Sequence, residues 1–93
     1  MEIINILAQD LSRSINISAI ASRGLLKLAI KDELGPFIPF RGLLYQDLKK
    51  VINNSLKERL EKLNIEGQQI EKIRMQLNSI LSKNQSLITM EKT

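Results

Sequence analysis

The sequence predicts an all-α fold: a three- to four-helix bundle with a C-terminal helical hairpin or short coiled coil. Three observations lead there. Leu and Ile supply 29 of the 93 residues. They recur at three- and four-residue spacing through four separate stretches, which is the period of an amphipathic helix. Turn formers and aromatics are scarce, with 4 Gly, 2 Pro and 3% aromatic residues, which disfavours a sandwich or barrel. The apolar fraction of 43% and charged fraction of 26% are those of a globular chain rather than a disordered one. The length fits one domain, expected over residues 1–88, with a frayed tail over 89–93.

The first helix is expected over about residues 2–13, where Ile3, Ile4, Leu7, Ala8 and Leu11 share one face. Asn5, Gln9, Asp10 and Ser12 point outward. Ser14-Ile15-Asn16-Ile17 alternates polar and β-branched residues and reads as a short link. Ser18 is a good N-cap for the next helix, because its hydroxyl can accept from an orphan backbone N–H.

The second helix is expected over 19–34. Gly35 suits the residue past its end, and Pro36 cannot continue it. Arg23, Lys27 and Lys31 form one stripe, and nearly everything else is small or apolar. A helix apolar over most of its circumference reads as central, contacted on several sides. Ala21 and Gly24 thin its first half and allow close approach of another helix.

Residues 35–42 form a loop by their Gly and Pro content, yet Phe37, Ile38 and Phe40 are apolar. The plain expectation is that both rings fold back and plug the end of the core. The functional alternative is an exposed patch that docks a partner.

The third helix is expected over 44–63, with Leu44, Leu48, Val51, Ile52, Leu56, Leu60 and Leu63 on one stripe. Asn64 can take the left-handed C′ position, with Ile65 closing a Schellman arrangement back to Leu60. The fourth helix is expected over 67–84. Ile70, Ile73, Leu77 and Ile80 form a heptad seam whose register continues to Asn84 and Leu87. Such a short seam packs either on the same chain or on a second copy. A homodimer, or a place in a larger complex, is the expected assembly. The echo of Arg23-Gly24-Leu25-Leu26 in Arg41-Gly42-Leu43-Leu44 is too short for a repeat architecture.

The chain has no Cys, His or Trp. That removes disulfides, thiolate chemistry, the usual zinc ligands and histidine acid–base catalysis. Neither phosphate-binding glycine pattern occurs, and no calcium loop does. Asp32 with Glu33, and Glu58 with Glu61, read as solvated, salt-bridging carboxylates. Tyr45 is a lone phenol. The expectation is no enzyme, no cofactor and no metal site.

The net charge of +4 lies wholly in residues 41–93. Lys49, Lys50, Asn53, Asn54 and Lys57 on the third helix could contact bases or phosphates. The nine-residue, two-proline connection before it does not match the short turn of a helix-turn-helix. Three aromatics are too few for an RNA-stacking platform. Glu2, Gln9, Asp10 and Arg13 spoil a signal peptide, and no run approaches the ~18 apolar residues of a membrane span. A cytoplasmic protein is expected.

These readings converge on a non-enzymatic helical protein–protein interaction module: a small adaptor, assembly factor or regulatory subunit. Its expected contact residues are Phe37, Ile38 and Phe40 in the loop and Ile70, Ile73, Leu77 and Ile80 in the seam. The alternative is a small DNA-binding transcriptional regulator using Lys49, Lys50, Asn53 and Lys57.

Overall fold

A computed structural model describes the backbone of residues 2–92 and the side chains of residues 2–88. The described residues form five helices and no strand. They run α1 (Glu2–Ile15), α2 (Ala19–Leu34), a third helix in three segments, α5 (Gly67–Lys83) and α6 (Gln85–Lys92). The third helix consists of α3 (Tyr45–Lys50), a π-helical segment (Val51–Ser55) and α4 (Leu56–Lys62). A 3₁₀ turn, Phe40–Gly42, precedes it.

α1 buries Ile3, Ile4, Leu7, Ala8 and Leu11, the face its spacing predicts. It runs two residues past the expected end. Asn16 there takes the left-handed conformation at φ 57°, and Ile17 N–H closes on Ser12 C=O at 3.1 Å. This is a Schellman cap, with Asn in the role usually given to Gly. The Ser14 carbonyl, one of the helix's orphan acceptors, takes a hydrogen bond from Gln69 Nε2 at 2.8 Å. That bond ties the end of α1 to α5.

α2 begins where Ser18 Oγ accepts from Ala21 N–H at 3.0 Å. It ends at Gly35, whose φ of +101° and ψ of 155° suit glycine almost alone. The second helix is not central. Its buried residues are only Ser22, Leu26, Ala29 and Ile30, a single stripe against α1 and the third helix. Ser22 is wholly buried and donates its hydroxyl to Ala8 C=O at 2.6 Å, fastening α2 to α1. Leu25 and Leu34 pack half-buried at the edges of this stripe, and the side from Ile20 through Leu28 faces outward. The apolar circumference that suggested a central position is instead divided between a core face and an open one.

The third helix starts at Tyr45. Asp47 caps it by accepting from the Leu44 backbone N–H at 3.0 Å, the acidic half of a capping box. Leu44 and Leu63, at the two ends of the expected stripe, are exposed. Between them the helix carries one wide turn, in which Leu56 N–H reaches back to Val51 C=O. The reason is phase. At 3.6 residues per turn, Leu48 and Leu60 stand about 120° apart around a regular helix. One extra residue in a π turn returns most of that drift, so Leu48, Val51, Ile52, Leu56 and Leu60 all reach the core. The same turn brings Ser55 inside. The helix ends on Asn64 at φ 63°, with Asn64 N–H on Glu61 C=O and Ile65 N–H on Leu60 C=O.

α5 packs against α1, α3, the π segment and α4. Its buried residues are Ile70, Ile73, Leu77 and Leu81. Leu81 takes the place expected of Ile80, which is only half-buried, because the buried line drifts with the helical period rather than holding a strict heptad. The register does not continue through Asn84. The Asn84 side chain donates to Ile80 C=O at 2.7 Å, a local bond of the kind that competes with helix continuation. α6 then turns back toward α1 and the 3₁₀ turn, burying Ile88. The fraying expected at 89–93 falls on residues whose side chains lie outside the described set. The buried side chains form one core to which all five helices contribute.

Candidate interaction surface

Of the large apolar side chains left exposed, Ile20, Leu28 and Phe37 belong to α2 and the loop that follows, and Leu44, Leu63 and Met75 lie elsewhere in the chain. Ser22, Leu26, Ala29 and Ile30 point inward, so helical geometry turns Ile20, Gly24 and Leu28 outward along the opposite side. Ile20 is 74% exposed and Leu28 47%. Gly24 stands between them, and nothing lies within 4 Å of where its Cβ would be. No contact within the chain therefore explains a glycine in mid-helix. Arg23, Lys27 and Lys31 border this line and are all exposed. Among the described residues, none of the three has an ion-pair partner.

The acids of α2 do not neutralise that ridge. Asp32 holds Arg59 of α4 at 2.6 Å. Glu33 accepts from Ser55 Oγ at 2.7 Å. Both carboxylates are engaged on the third helix. The Asp32 carboxyl lies below its ordinary value, chiefly through the hydrogen bond from Arg59; partial desolvation opposes this, and the charges of Arg59 and Lys62 assist it. The Arg59 guanidinium is raised in return.

The loop residues separate. Phe37 is 95% exposed. Ile38 and Phe40 are half-buried against the core. The expectation that both rings plug the core holds for Phe40 alone, since the chain turns at Pro36 and Phe37 before it closes onto the core. Lys27 Nζ lies 5.9 Å from the centre of the Phe40 ring, at the outer edge of cation–π range. This contact joins the loop to the outer face of α2.

The seam residues lie elsewhere. Ile70, Ile73 and Leu77 are buried inside the chain, and Ile80 packs half-buried at the edge of the same core. The seam meets helices of its own chain, so these side chains are not a free surface.

The residues of the DNA-binding alternative are brought together only in part. Lys49 and Lys50 are exposed, and Lys57 is half-buried. Asn53 is turned toward α5, where its Oδ1 accepts from Arg74 Nη2 at 3.2 Å and from Asn78 Nδ2 at 3.0 Å. Lys49, Lys50, Asn53 and Asn54 line one open hollow of about 350 Å³, and Lys57 is not among its lining residues. Arg74 is further held by Glu71 at 2.6 Å. Asn53 is thus part of the internal fastening.

Two hollows lie beside α1. One, of about 210 Å³, is lined by Asn5, Gln9, Ala19 and Arg23 among others. The other, of about 370 Å³, holds Asp10, Met75, Gln76, Ser79 and Ile80. The first offers no hydroxyl nucleophile, and the second places Asp10 and Ser79 in one hollow with no hydrogen bond between them among the described residues. Among the described residues no three acidic side chains gather as a metal site. No helix among them is long and apolar enough to cross a membrane.

Ile20 and Leu28 are absent from the residues the sequence singles out, because an apolar residue on a helix apolar all round is assigned to the core by default. The signal that could have found them is Gly24, a helix-weakening residue at their midpoint. Comparison of the chain with protein-family models, with curated proteins and with solved structures finds no match.

Proposed function

We propose that this chain is a non-enzymatic protein–protein interaction module, a small adaptor, assembly factor or regulatory subunit of the cytoplasm. Its docking face is the outer side of α2 together with the Phe37 loop. The observation that carries this reading is the exposure of Ile20 and Leu28 beside a basic ridge, with Phe37 in the loop that follows the same helix, whereas Leu44, Leu63 and Met75 are exposed on separate elements. Exposed apolar residues grouped in this way mark contact sites more often than scattered ones do. The carboxylates Asp32 and Glu33 serve as fasteners between helices.

Photo-crosslinking in the producing cell tests this. A photoreactive amino acid at position 37 or 20 should give the same discrete adduct. Position 72, on the exposed face of α5, should not. Leu28→Asp should abolish the adduct without unfolding the chain. Equal adducts from all three positions, or none from 37 and 20, would overturn the assignment. The DNA-binding reading is weaker because Asn53 is engaged by Arg74 and Asn78. It predicts instead that duplex DNA binds, with an affinity that falls steeply with salt.

A further inference from the structure

We propose that the outer face of α2 takes an acidic amphipathic helix of a partner protein, with a large apolar side chain seated over Gly24. This rests on the interaction-module reading and names its occupant.

The shape of the face argues for a helix. Ile20 and Leu28 stand two turns apart as ridges, and Gly24 leaves a bare strip of backbone between them, with open space above it. A side chain of a crossing helix fits such a gap in the ridges-into-grooves manner. The gap also accounts for a mid-helix glycine that no contact within the chain explains.

The charge argues for acids. Arg23, Lys27 and Lys31 follow one another at one-turn intervals over about 12 Å of helix axis. The two acids on the same helix are engaged by Arg59 and Ser55, so α2 itself leaves only cations free along the face; Glu2 of α1 shares a hollow with Arg23 at its first turn, and Lys27 and Lys31 lie beyond it. A partner helix with Glu or Asp at four-residue spacing places one carboxylate opposite each. A second copy of this chain would instead set three cations against three, an arrangement that suppresses association. A lipid surface suits the face less well. Interfacial helices bury a broad strip of bulky and aromatic residues, whereas this strip is notched at its centre by Gly24.

The test uses the full chain, ¹⁵N-labelled, and two synthetic helical peptides with the same leucine stripe, one bordered by Glu and the other by Lys. The Glu peptide should shift the amide resonances of residues 20–31. Its affinity should fall about tenfold in the variant Lys27→Glu/Lys31→Glu, because like charges then oppose. The Lys peptide should leave the same resonances unmoved. Gly24→Ala separates docking from folding: it should raise the melting temperature, since Ala favours helix and meets nothing, and yet weaken the Glu peptide. If Gly24→Ala leaves peptide affinity unchanged, the seat over Gly24 is wrong. Three results would overturn the proposal: no shift at about 1 mM Glu peptide, equal binding of both peptides, or the same resonances protected by phosphatidylglycerol vesicles or by a dimer seen in light scattering. Persistence of the crosslinked adduct from positions 20 and 37 in those cases would leave the interaction module standing with a different occupant. Loss of both would remove the two together.

Discussion

Ser55 gives its hydroxyl hydrogen to Glu33 Oε1 across 2.7 Å, linking the end of the π segment to α2 over 22 residues of chain. One residue earlier in α2, Asp32 holds Arg59. The two neighbouring carboxylates therefore fasten successive turns of the third helix. In a regular helix Ser55 would sit at a different angle. The wide turn at Val51–Ser55 brings it to the carboxylate.

Ser55→Ala removes this bond and leaves the half-buried Glu33 carboxylate without its hydroxyl donor. A hydrogen bond to a charged group contributes about 1.5–3 kcal/mol when well shielded, and this one is only partly so. We expect a loss of about 1 kcal/mol in urea denaturation. A midpoint unchanged from the parent chain would show that Glu33 finds equal solvation in water.

Leu77→Ala should cost about 2–5 kcal/mol, the usual range for emptying a well-packed site, because Leu77 is wholly buried. Ile73→Asp should unfold the chain outright, since an unpaired buried carboxylate costs several kcal/mol against a small domain's total of about 5–15 kcal/mol. Circular dichroism and light scattering read both. A folded Ile73→Asp protein that merely changes oligomeric state would place the seam between chains.

The two glycines of the α2 region should respond in opposite directions. Gly35→Ala forces an L side chain to φ +101° and should destabilise by about 1–3 kcal/mol. Gly24→Ala should stabilise by about 0.5–1 kcal/mol, because the site is helical and open. Thermal melts of the two variants side by side check the sign of each.

Acid should loosen the Asp32–Arg59 link in a defined window. The Asp32 carboxyl sits below its ordinary value of 3.8, first through the Arg59 hydrogen bond. A carboxylate lowered in the folded state contributes stability that is complete above 3.8 and lost as pH falls from there through the folded value. Both partners keep contact with water, so the effect is small and sensitive to salt. Asp32→Asn should lower the melting temperature slightly above about pH 5 and flatten its decline below 3.8. An identical pH profile for the two proteins would mean that the pair contributes nothing.

Phe37→Ser should leave stability within about 0.5 kcal/mol of the parent, as for most surface changes, because the ring is in water. Phe40→Ala should cost distinctly more, since its ring packs on the core and under Lys27. Urea midpoints of the two variants measure the contrast. A large loss for Phe37→Ser would mean that the ring is sheltered in solution.

Much of the local structure was legible in the residues. Ser18, Gly35 and Asn64 mark helix ends because each satisfies, with its own short side chain or its tolerance of positive φ, backbone groups that the helix leaves open. The core face of α1 follows from spacing alone. Asn16 was as readable as Asn64 by the same argument, but its β-branched neighbours Ile15 and Ile17 lowered the helix propensity of the stretch and masked it.

By itself the sequence determined that the chain is helical, where most of its helices begin and end, and that one side of each is apolar. Only the tertiary structure decided what those apolar sides meet. The period that makes the Ile70–Leu77 seam is the same whether its partner is in the same chain or another, because hydrophobic burial has no direction and carries no address. For the same reason α2 reads as central until the inner stripe at Ser22–Ile30 is seen to be covered and the outer one at Ile20–Leu28 is not. The π turn and the Asn53–Arg74–Asn78 contacts were beyond reach of the sequence. They arise from matching the phase of the third helix to helices that stand twenty or more residues away along the chain.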